Sequence, residues 1–378
     1  MTRAMPGRRE FLKAAAALLG SGLSPDCAAR QSRPAPPGHA PAHPLAPLHV
    51  SADRIIRTVV GLRPFRPSGF VLRSEPFGSK TLIHNYGHGG GGVTLSWGTA
   101  HLAVEEAVAT GHTRAAVIGC GAVGLATARL LQRRGFDVTI YTKDLPPATT
   151  SNIAGATWFP SSVADTGRRT PAFDAQFLRA ARLSYRYFQD LVGDMYGVRW
   201  LDQFNVSDKP ITGSWEQALM ADFLPPEKPL GPTEHPFAKP CVNRWTTMLI
   251  EPPVYLDALT RDFQLAGGRL VVRNFASAGA LADLDQPLIV NCTGLGARAL
   301  FGDPELMPIK GQLSALLPQP EIDYIYGTSD DLYMIPRRDG IMLGGTHQRG
   351  AWTMEPDPGQ FGRILAGHSR LIADGFRI

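Results

Sequence analysis

Residues 114–124 read Arg114-Ala115-Ala116-Val117-Ile118-Gly119-Cys120-Gly121-Ala122-Val123-Gly124. Ala115 to Ile118 is a short apolar strand, and the glycines follow it directly. Leu125 to Arg134 then places apolar residues at 125, 126, 130 and 131, the spacing of one helical face. Gly135 stops that helix, and Val138-Thr139-Ile140-Tyr141 forms a second strand. A glycine triplet of the GxGxxG type is weak evidence alone. Here it leaves a strand and opens a helix, which is the context the motif requires. Such glycines let the backbone approach a pyrophosphate, whose charge the helix N-terminus favours. Gly119, Gly121, Ala122, Val123 and Gly124 are therefore read as dinucleotide-binding. An acid about 20 residues further on should hold a ribose hydroxyl. Asp144 is the candidate, slightly displaced because Lys143 stands directly after Tyr141-Thr142.

A second strand-to-glycine segment lies at Pro287-Leu288-Ile289-Val290-Asn291-Cys292-Thr293-Gly294-Leu295-Gly296. It reads as a buried strand ending in a tight turn. Cys120 and Cys292 sit at these strand ends and are read as small core residues. The four cysteines, with Cys27 and Cys241, show no paired spacing, so neither a zinc site nor a disulfide framework is indicated.

The chain has 378 residues, 44% hydrophobic and 19% charged, which suits a globular protein of about two domains. No run of about 18 apolar residues exists, which excludes a multi-pass membrane protein and any stable membrane span. The formal charge of +5 is mild, and its cations are scattered, so a nucleic-acid partner is not indicated.

Part of that charge belongs to the start of the chain. Arg8-Arg9-Glu10-Phe11-Leu12-Lys13 precedes the apolar run Ala14 to Leu19, a pattern that resembles a twin-arginine export signal. The run is too short to span a bilayer. Cys27-Ala28-Ala29 and Ala40-Pro41-Ala42 both offer small residues for cleavage, and Cys27 lacks the small residues just before it that a lipoprotein cysteine would need. Arg30 to Val50 carries prolines at 34, 36, 37, 41, 44 and 47 and reads as a stiff solvated linker. Residues 1–50 are thus assigned to address and spacer, with the folded body beginning near residue 51.

The most specific string is His84-Asn85-Tyr86-Gly87-His88-Gly89-Gly90-Gly91-Gly92-Val93-Thr94. It resembles the signature of D-amino-acid oxidases, FAD enzymes of the glutathione-reductase-like superfamily. Gly61-Leu62-Arg63-Pro64-Phe65-Arg66-Pro67 is similar to the family's substrate-arginine segment. Tyr333-Met334-Ile335-Pro336, followed by Leu343-Gly344-Gly345-Thr346, is similar to its substrate-tyrosine strand and hairpin. Val290-Asn291-Cys292-Thr293-Gly294, and Thr149-Thr150-Ser151 before Trp158, also fit, and the likeness covers about residues 51–378.

The order of these segments departs from the family. There the GxGxxG begins the chain, and the Arg-Pro and His-Asn-Tyr-Gly-His segments end it. Here those two segments come first, and the chain closes at Ala373-Asp374-Gly375-Phe376-Arg377-Ile378, where the family would continue into a segment like Asp53-Arg54-Ile55-Ile56-Arg57. This is the pattern of a circular permutation, with the former ends joined through Gly111-His112-Thr113. The implied fold is α/β: a Rossmann-like FAD-binding domain from 67–160 and 248–310, plus an antiparallel-sheet α+β substrate domain from 51–66, 161–247 and 311–378, in permuted order.

The resemblance implies oxidation of a D-amino acid by hydride transfer from its α carbon to flavin N5. The products are a 2-oxo acid, ammonia and hydrogen peroxide, so the partners are a small amino acid and oxygen. Arg63 would grip the substrate carboxylate through two parallel hydrogen bonds, Tyr333 would donate another, and Gly90 would offer its carbonyl to the amine. Backbone N–H groups of Gly92, Val93 and Thr94 would stabilise negative charge on reduced flavin. Thr149, Thr150, Ser151, Thr293 and Gly294 join the cofactor-binding set. His84 and His88, although four apart, lie in a strand-to-glycine loop with no carboxylate near in sequence; they are read as positioning residues, with no metal.

Two departures bear on specificity. Gly91 stands where the family often has an aromatic, and Ser329, within Gly327-Thr328-Ser329-Asp330-Asp331, stands where it has a lid tyrosine. A differently built lid is expected. An acidic substrate would want an extra cation, and Arg337, Arg338 and Arg349 are the candidates. A D-aspartate oxidase, a glycine- or sarcosine-type amine oxidase, and an inactive rearranged flavin-binding protein stay open as alternatives. So does a homodimer. The export machinery would be the other partner, and the destination periplasmic or extracellular.

Overall fold

The computed structural model describes residues 45–373 and Phe376. The twin-arginine string, both cleavage sites, Cys27 and most of the proline tract lie outside the described residues. In chain order the elements start with β1 (Ile55–Phe65), β2 (Val71–Phe77), β3 (Lys80–Tyr86), α1 (Ser96–Ala109), β4 (Arg114–Ile118), α2 (Ala122–Arg133) and β5 (Asp137–Thr142). There follow α3 (Pro171–Asp190), β6 (Val198–Ser207), β7 (Lys228–Leu230), β8 (Cys241–Ile250), α4 (Pro252–Leu265), β9 (Arg269–Val272) and β10 (Leu288–Asn291). The chain finishes with β11 (Met307–Leu316), β12 (Tyr324–Thr328), β13 (Tyr333–Arg337), β14 (Gly340–Gly344), β15 (Gln348–Arg349) and α5 (Pro358–Ala373).

Two sheets result. The six-stranded sheet has the order β2-β3-β10-β4-β5-β9, parallel throughout except for β2 at its edge. Its central strands, Ala115–Ile118 and Leu288–Asn291, are buried on both faces, which is why they read as unbroken apolar runs. Helices α1, α2, α3 and α4 pack together on it. α1 and α3 approach so closely that a Cβ on Gly98 would lie 1.8 Å from the Ala180 carbonyl oxygen. α3 starts where expected, with the Thr170 hydroxyl capping the Phe173 N–H and Pro171 in the first turn.

The nine-stranded sheet has the order β1-β11-β14-β13-β12-β6-β8-β7, with β15 also on β11. Every pair is antiparallel except β12 with β6. β1, near the start of the described chain, pairs along the whole of β11, from Ile55 opposite Leu316 to Phe65 opposite Met307.

The body starts earlier than the proline count suggests. Leu48 is buried, and Leu45, Ala46 and Val50 pack on the cluster formed by Phe204, Phe237, Tyr324 and Ile341. The Tyr324 hydroxyl donates to the Ala46 carbonyl, and the Gln319 amide exchanges two hydrogen bonds with the His49 backbone. Apolar residues between prolines gain more here from burial than from staying solvated. Leu371, Ile372 and Phe376 pack on the same cluster, so the two ends of the described chain meet there.

Candidate active site

A cavity of about 740 Å³ runs from the C-terminal ends of the parallel strands to one face of the nine-stranded sheet. That is where open α/β sheets place their ligands. Of the residues expected from sequence, Arg63, Gly90, Gly92, Val93, Thr94, Gly119, Gly121, Ala122, Val123, Asp144, Thr149, Thr150, Ser151, Thr293, Gly294 and Tyr333 all line it. Gly124 does not: a Cβ there would lie 2.0 Å from the Gly119 carbonyl oxygen. It is the glycine that lets α2 sit against the turn, and its contact with a ligand is corrected to a packing role.

The turn before α2 is built to admit an anion. Gly119 has φ +112°, and a Cβ on it would lie 2.5 Å from the Cys292 carbonyl oxygen, so a side chain is excluded on both counts. Gly121 occupies the N-cap without a side chain to cap it, and the Ser151 hydroxyl takes only the Ala122 N–H. The Val123 and Gly124 N–H groups take no backbone partner among the described residues, which leaves them as donors at the positive end of the helix dipole. Lys143 and Arg273 flank Asp144 beside the ends of β5 and β9, and the Arg273 guanidinium lies over the Phe275 ring at 4.7 Å.

The glycine run forms the middle of the cavity. Residues Gly89–Gly91 make one 3₁₀ turn before α1. A Cβ on Gly90 would lie 2.4 Å from the Ser161 carbonyl oxygen, so only glycine fits under that strand of chain. Among the described residues the N–H groups of Val93 and Thr94 take no backbone partner. His88 lines the cavity, fully buried, stacked on Phe70 and bonded to the Thr99 hydroxyl at 3.1 Å. Burial pushes its imidazole down to about 3, so it is neutral. His84 does not line the cavity. Its ring bridges Asn291 at 3.0 Å and Glu75 at 3.2 Å, and Asn291 in turn accepts from the Thr293 N–H and hydroxyl. His84 therefore ties the sheet together behind the Thr293-Gly294 turn.

At the sheet end Arg63 and Tyr333 meet, although they are separated by two strands, β11 and β14. The Arg63 guanidinium donates to the Tyr333 hydroxyl and to the Thr346 carbonyl, both at 3.3 Å. Burial raises the Tyr333 phenol above its ordinary value, and the Arg63 charge opposes that rise only in part. The phenol is thus a neutral donor at pH 7 beside a cation, a pair suited to one carboxylate.

The three arginines considered for an acidic substrate are spoken for elsewhere. Arg337 is buried in a two-fold contact with Asp339, Arg338 pairs with Asp194, and Arg349 pairs with Asp165 through both nitrogens. None lines the cavity. Where a lid was considered, residues 328–332 form a tight turn. The Thr328 N–H donates to the Leu332 carbonyl, and Asp331, at φ +66°, holds His347 at 2.7 Å.

Several cavity residues escaped the sequence reading. Gln203, Phe159, His347 and Gly311 come from distant parts of the chain. The Gln203 amide donates to Asn205, which donates to Glu227, so its orientation is fixed from behind. Gly311 carried one signal, a lone glycine inside an otherwise buried strand, which marks close approach by another group.

The cradle matches known proteins. The family model for FAD-dependent oxidoreductases, abbreviated DAO, fits residues 38–106 and 114–375. A D-amino-acid oxidase of Rubrobacter xylanophilus is 32% identical over 270 residues, covering 68% of this chain and 77% of that protein. A D-amino-acid oxidase of Streptomyces coelicolor is 29% identical over 255 residues, covering 64% and 72%. Among solved structures, a glycine oxidase from Bacillus cereus shares the fold, with a TM-score of 0.50 at 13% identity over 70% of this chain and 80% of that one. The glycine-capped helix start, the excluded side chains at Gly119 and Gly90, and the cavity of about 740 Å³ all suit FAD, and the chain belongs to the FAD-dependent oxidoreductase family.

Proposed function

We propose that the protein is a D-amino-acid oxidase, converting a D-amino acid and oxygen into a 2-oxo acid, ammonia and hydrogen peroxide. The observation that carries this reading is the Arg63–Tyr333 pair in the same cavity as the dinucleotide cradle. Bound FAD would supply the two-electron acceptor, taking hydride at N5 and passing the electrons to oxygen. The first turn of α2 would hold its pyrophosphate, with Thr149, Thr150, Ser151, Thr293 and Gly294 beside it and Asp144 near the ribose. Val93 and Thr94, whose N–H groups take no backbone partner among the described residues, would stabilise negative charge on reduced flavin.

The chain's own contribution to the reaction is orientation. Arg63 and Tyr333 hold the carboxylate, and the Gly90 carbonyl takes the amine. Together they fix which face of the α carbon is presented. No acid–base residue is required once the amine is neutral. The proposal is tested with a peroxide assay on D- and L-amino-acid panels, on the wild type and Arg63→Ala. Peroxide from D-amino acids that falls at least 100-fold in kcat/KM in the variant supports it. Sarcosine or glycine turned over in preference to every D-amino acid overturns it in favour of an amine oxidase.

The chain order is proposed to be a circular permutation of the oxidase fold. Three facts support this. The described ends share one apolar cluster, β1 pairs with β11 from the opposite end of the chain, and the family match is interrupted between residues 106 and 114. A chain restarted at Thr113, with the ends joined through a short linker from 376 to 45, should fold and bind FAD as well as the natural one. The first 29 residues are proposed to direct export by the twin-arginine route. Replacing Arg8 and Arg9 by lysines should leave the protein inside the cell.

A further inference from the structure

The geometry points to Gly311 and Gly344 as positioning residues for Arg63 and Tyr333, an inference that rests on the carboxylate-binding role proposed above. The two side chains start on strands β1 and β13, at opposite edges of the pair β11–β14, and must reach each other across the face of that pair. Any side chain on β11 or β14 along that line would stand between them. The residues there are glycines. A Cβ built on Gly311 would lie 2.7, 2.8 and 2.9 Å from Nη1, Nη2 and Cζ of Arg63. A Cβ built on Gly344 would lie 2.1 to 2.5 Å from Cζ, Cε2 and the hydroxyl of Tyr333. The guanidinium therefore lies flat on Gly311 and the phenol flat on Gly344.

Neither glycine is needed for its backbone conformation, because neither has a positive φ. Gly61 sits opposite Gly311 on β1 but is covered by another side chain: a Cβ there would lie 3.0 Å from Cγ2 of Ile153, so it is Gly311 alone that meets the guanidinium. From behind, α5 holds the same strand end. His368 Nε2 lies 3.3 Å from the Gly344 carbonyl oxygen, and Arg363 donates to the Gly345 carbonyl. The floor is thus fixed from behind, and at Gly311 and Gly344 it carries no side chain of its own. A methyl at 311 would lift the free end of a flexible side chain, which the fold tolerates. It would also tilt the fork away from the carboxylate, and misplacement by about 1 Å at such a site costs roughly 100-fold.

The test is a double-mutant cycle on the FAD-loaded protein, using propanoate, a substrate without its amine, as the probe. Binding is read by calorimetry, with flavin absorbance for cofactor content and thermal unfolding for the fold. Gly311→Ala should weaken propanoate about 10- to 100-fold at unchanged FAD content. In an Arg63→Ala background the same change should alter neither binding nor Tm. Gly344→Ala should lower Tm, because the stiffer phenol cannot swing clear, and Tyr333→Ala should abolish that loss. Should Gly311→Ala alone not fold, the pair with Arg63→Ala is still expected to fold. Wild-type propanoate affinity in Gly311→Ala, or an equal Tm loss with and without Arg63, would overturn the inference while leaving the proposed function intact. Undiminished affinity in Arg63→Ala would instead overturn the carboxylate role itself, and the inference with it.

Discussion

Buried histidines, His368 and His88 foremost, make the stability of this protein fall between pH 7 and 5, and burial lowers His84 in the same direction. His368 on α5 is fully buried between the Tyr326 hydroxyl, 2.5 Å from Nδ1, and the Gly344 carbonyl oxygen, 3.3 Å from Nε2. The carbonyl can only accept, so Nε2 carries the proton and Nδ1 takes the phenol's hydrogen bond. A second proton would have to enter at Nδ1, against the phenol. Burial, aided by the charge of Arg363, pushes this imidazole from 6.5 down to about 4, with the Gly344 bond opposing. Between those values the unfolded chain binds a proton that the native one refuses. Stability therefore rises with pH through this window and is lost on acidification. At pH 5 the loss relative to pH 7 is about 2 kcal/mol, from 1.36 kcal/mol per pH unit over the part of the window crossed. His88, pushed down to about 3 by burial alone, adds roughly the same. Asp303 and Asp339, whose carboxyls sit below their ordinary 3.8, titrate below this range and do not contribute to it. The assay is urea unfolding at pH 7 and pH 5 under saturating FAD, for the wild type and His368→Gln. The variant starts less stable but should lose about 2 kcal/mol less on acidification. An equally steep loss in both proteins would refute the assignment of the pH dependence to His368.

Further outcomes follow from packing and burial. Gly98→Ala, outside the cavity lining, drives a methyl into the Ala180 backbone and should cost about 1–3 kcal/mol, read as a lower Tm at normal FAD affinity once folded. Gly119→Ala combines a positive φ with a collision on the Cys292 carbonyl; purified protein should contain little FAD, measured by absorbance after release. Cys120 and Cys292, both pushed up to about 12 by burial, should resist alkylation at pH 8 in the native protein, whereas the less buried Cys241 reacts ahead of both in peptide mapping. Neutralising Arg349 should leave the ratio of kcat/KM for D-aspartate over D-alanine unchanged, because its charge is held by Asp165 outside the cavity.

Features carried by neighbours in sequence were legible. The strand, glycine turn and helix at 114–133 are local, and each residue there reports its own environment: alanine and valine buried on both faces, glycine where a Cβ collides. The strand ending at Asn291 was legible for the same reason. Arg63 and Tyr333 emerged only through their resemblance to a family, since nothing in their spacing says that two strands intervene. Gly311 and Gly344 stayed unread because their purpose lies in side chains that start elsewhere. Arg338 and Arg349 were open as cations because their carboxylate partners, Asp194 and Asp165, are more than a hundred residues away; the partner of Arg337, Asp339, stands only two residues on and went unread. Leu45 to Val50 misled in the opposite direction: proline count outweighed four apolar residues whose cluster is supplied by β6, β12 and the end of the chain. Local propensity is written at its own position, and cross-strand contact is not.

The central claim is tested most directly by mixing the FAD-loaded protein with D-alanine without oxygen and following the flavin absorbance. Loss of the oxidised band with D-alanine or another D-amino acid, with no change on adding the L-enantiomer and full recovery on admitting air, is the predicted result. A flavin that stays oxidised with every D-amino acid tried would contradict the account.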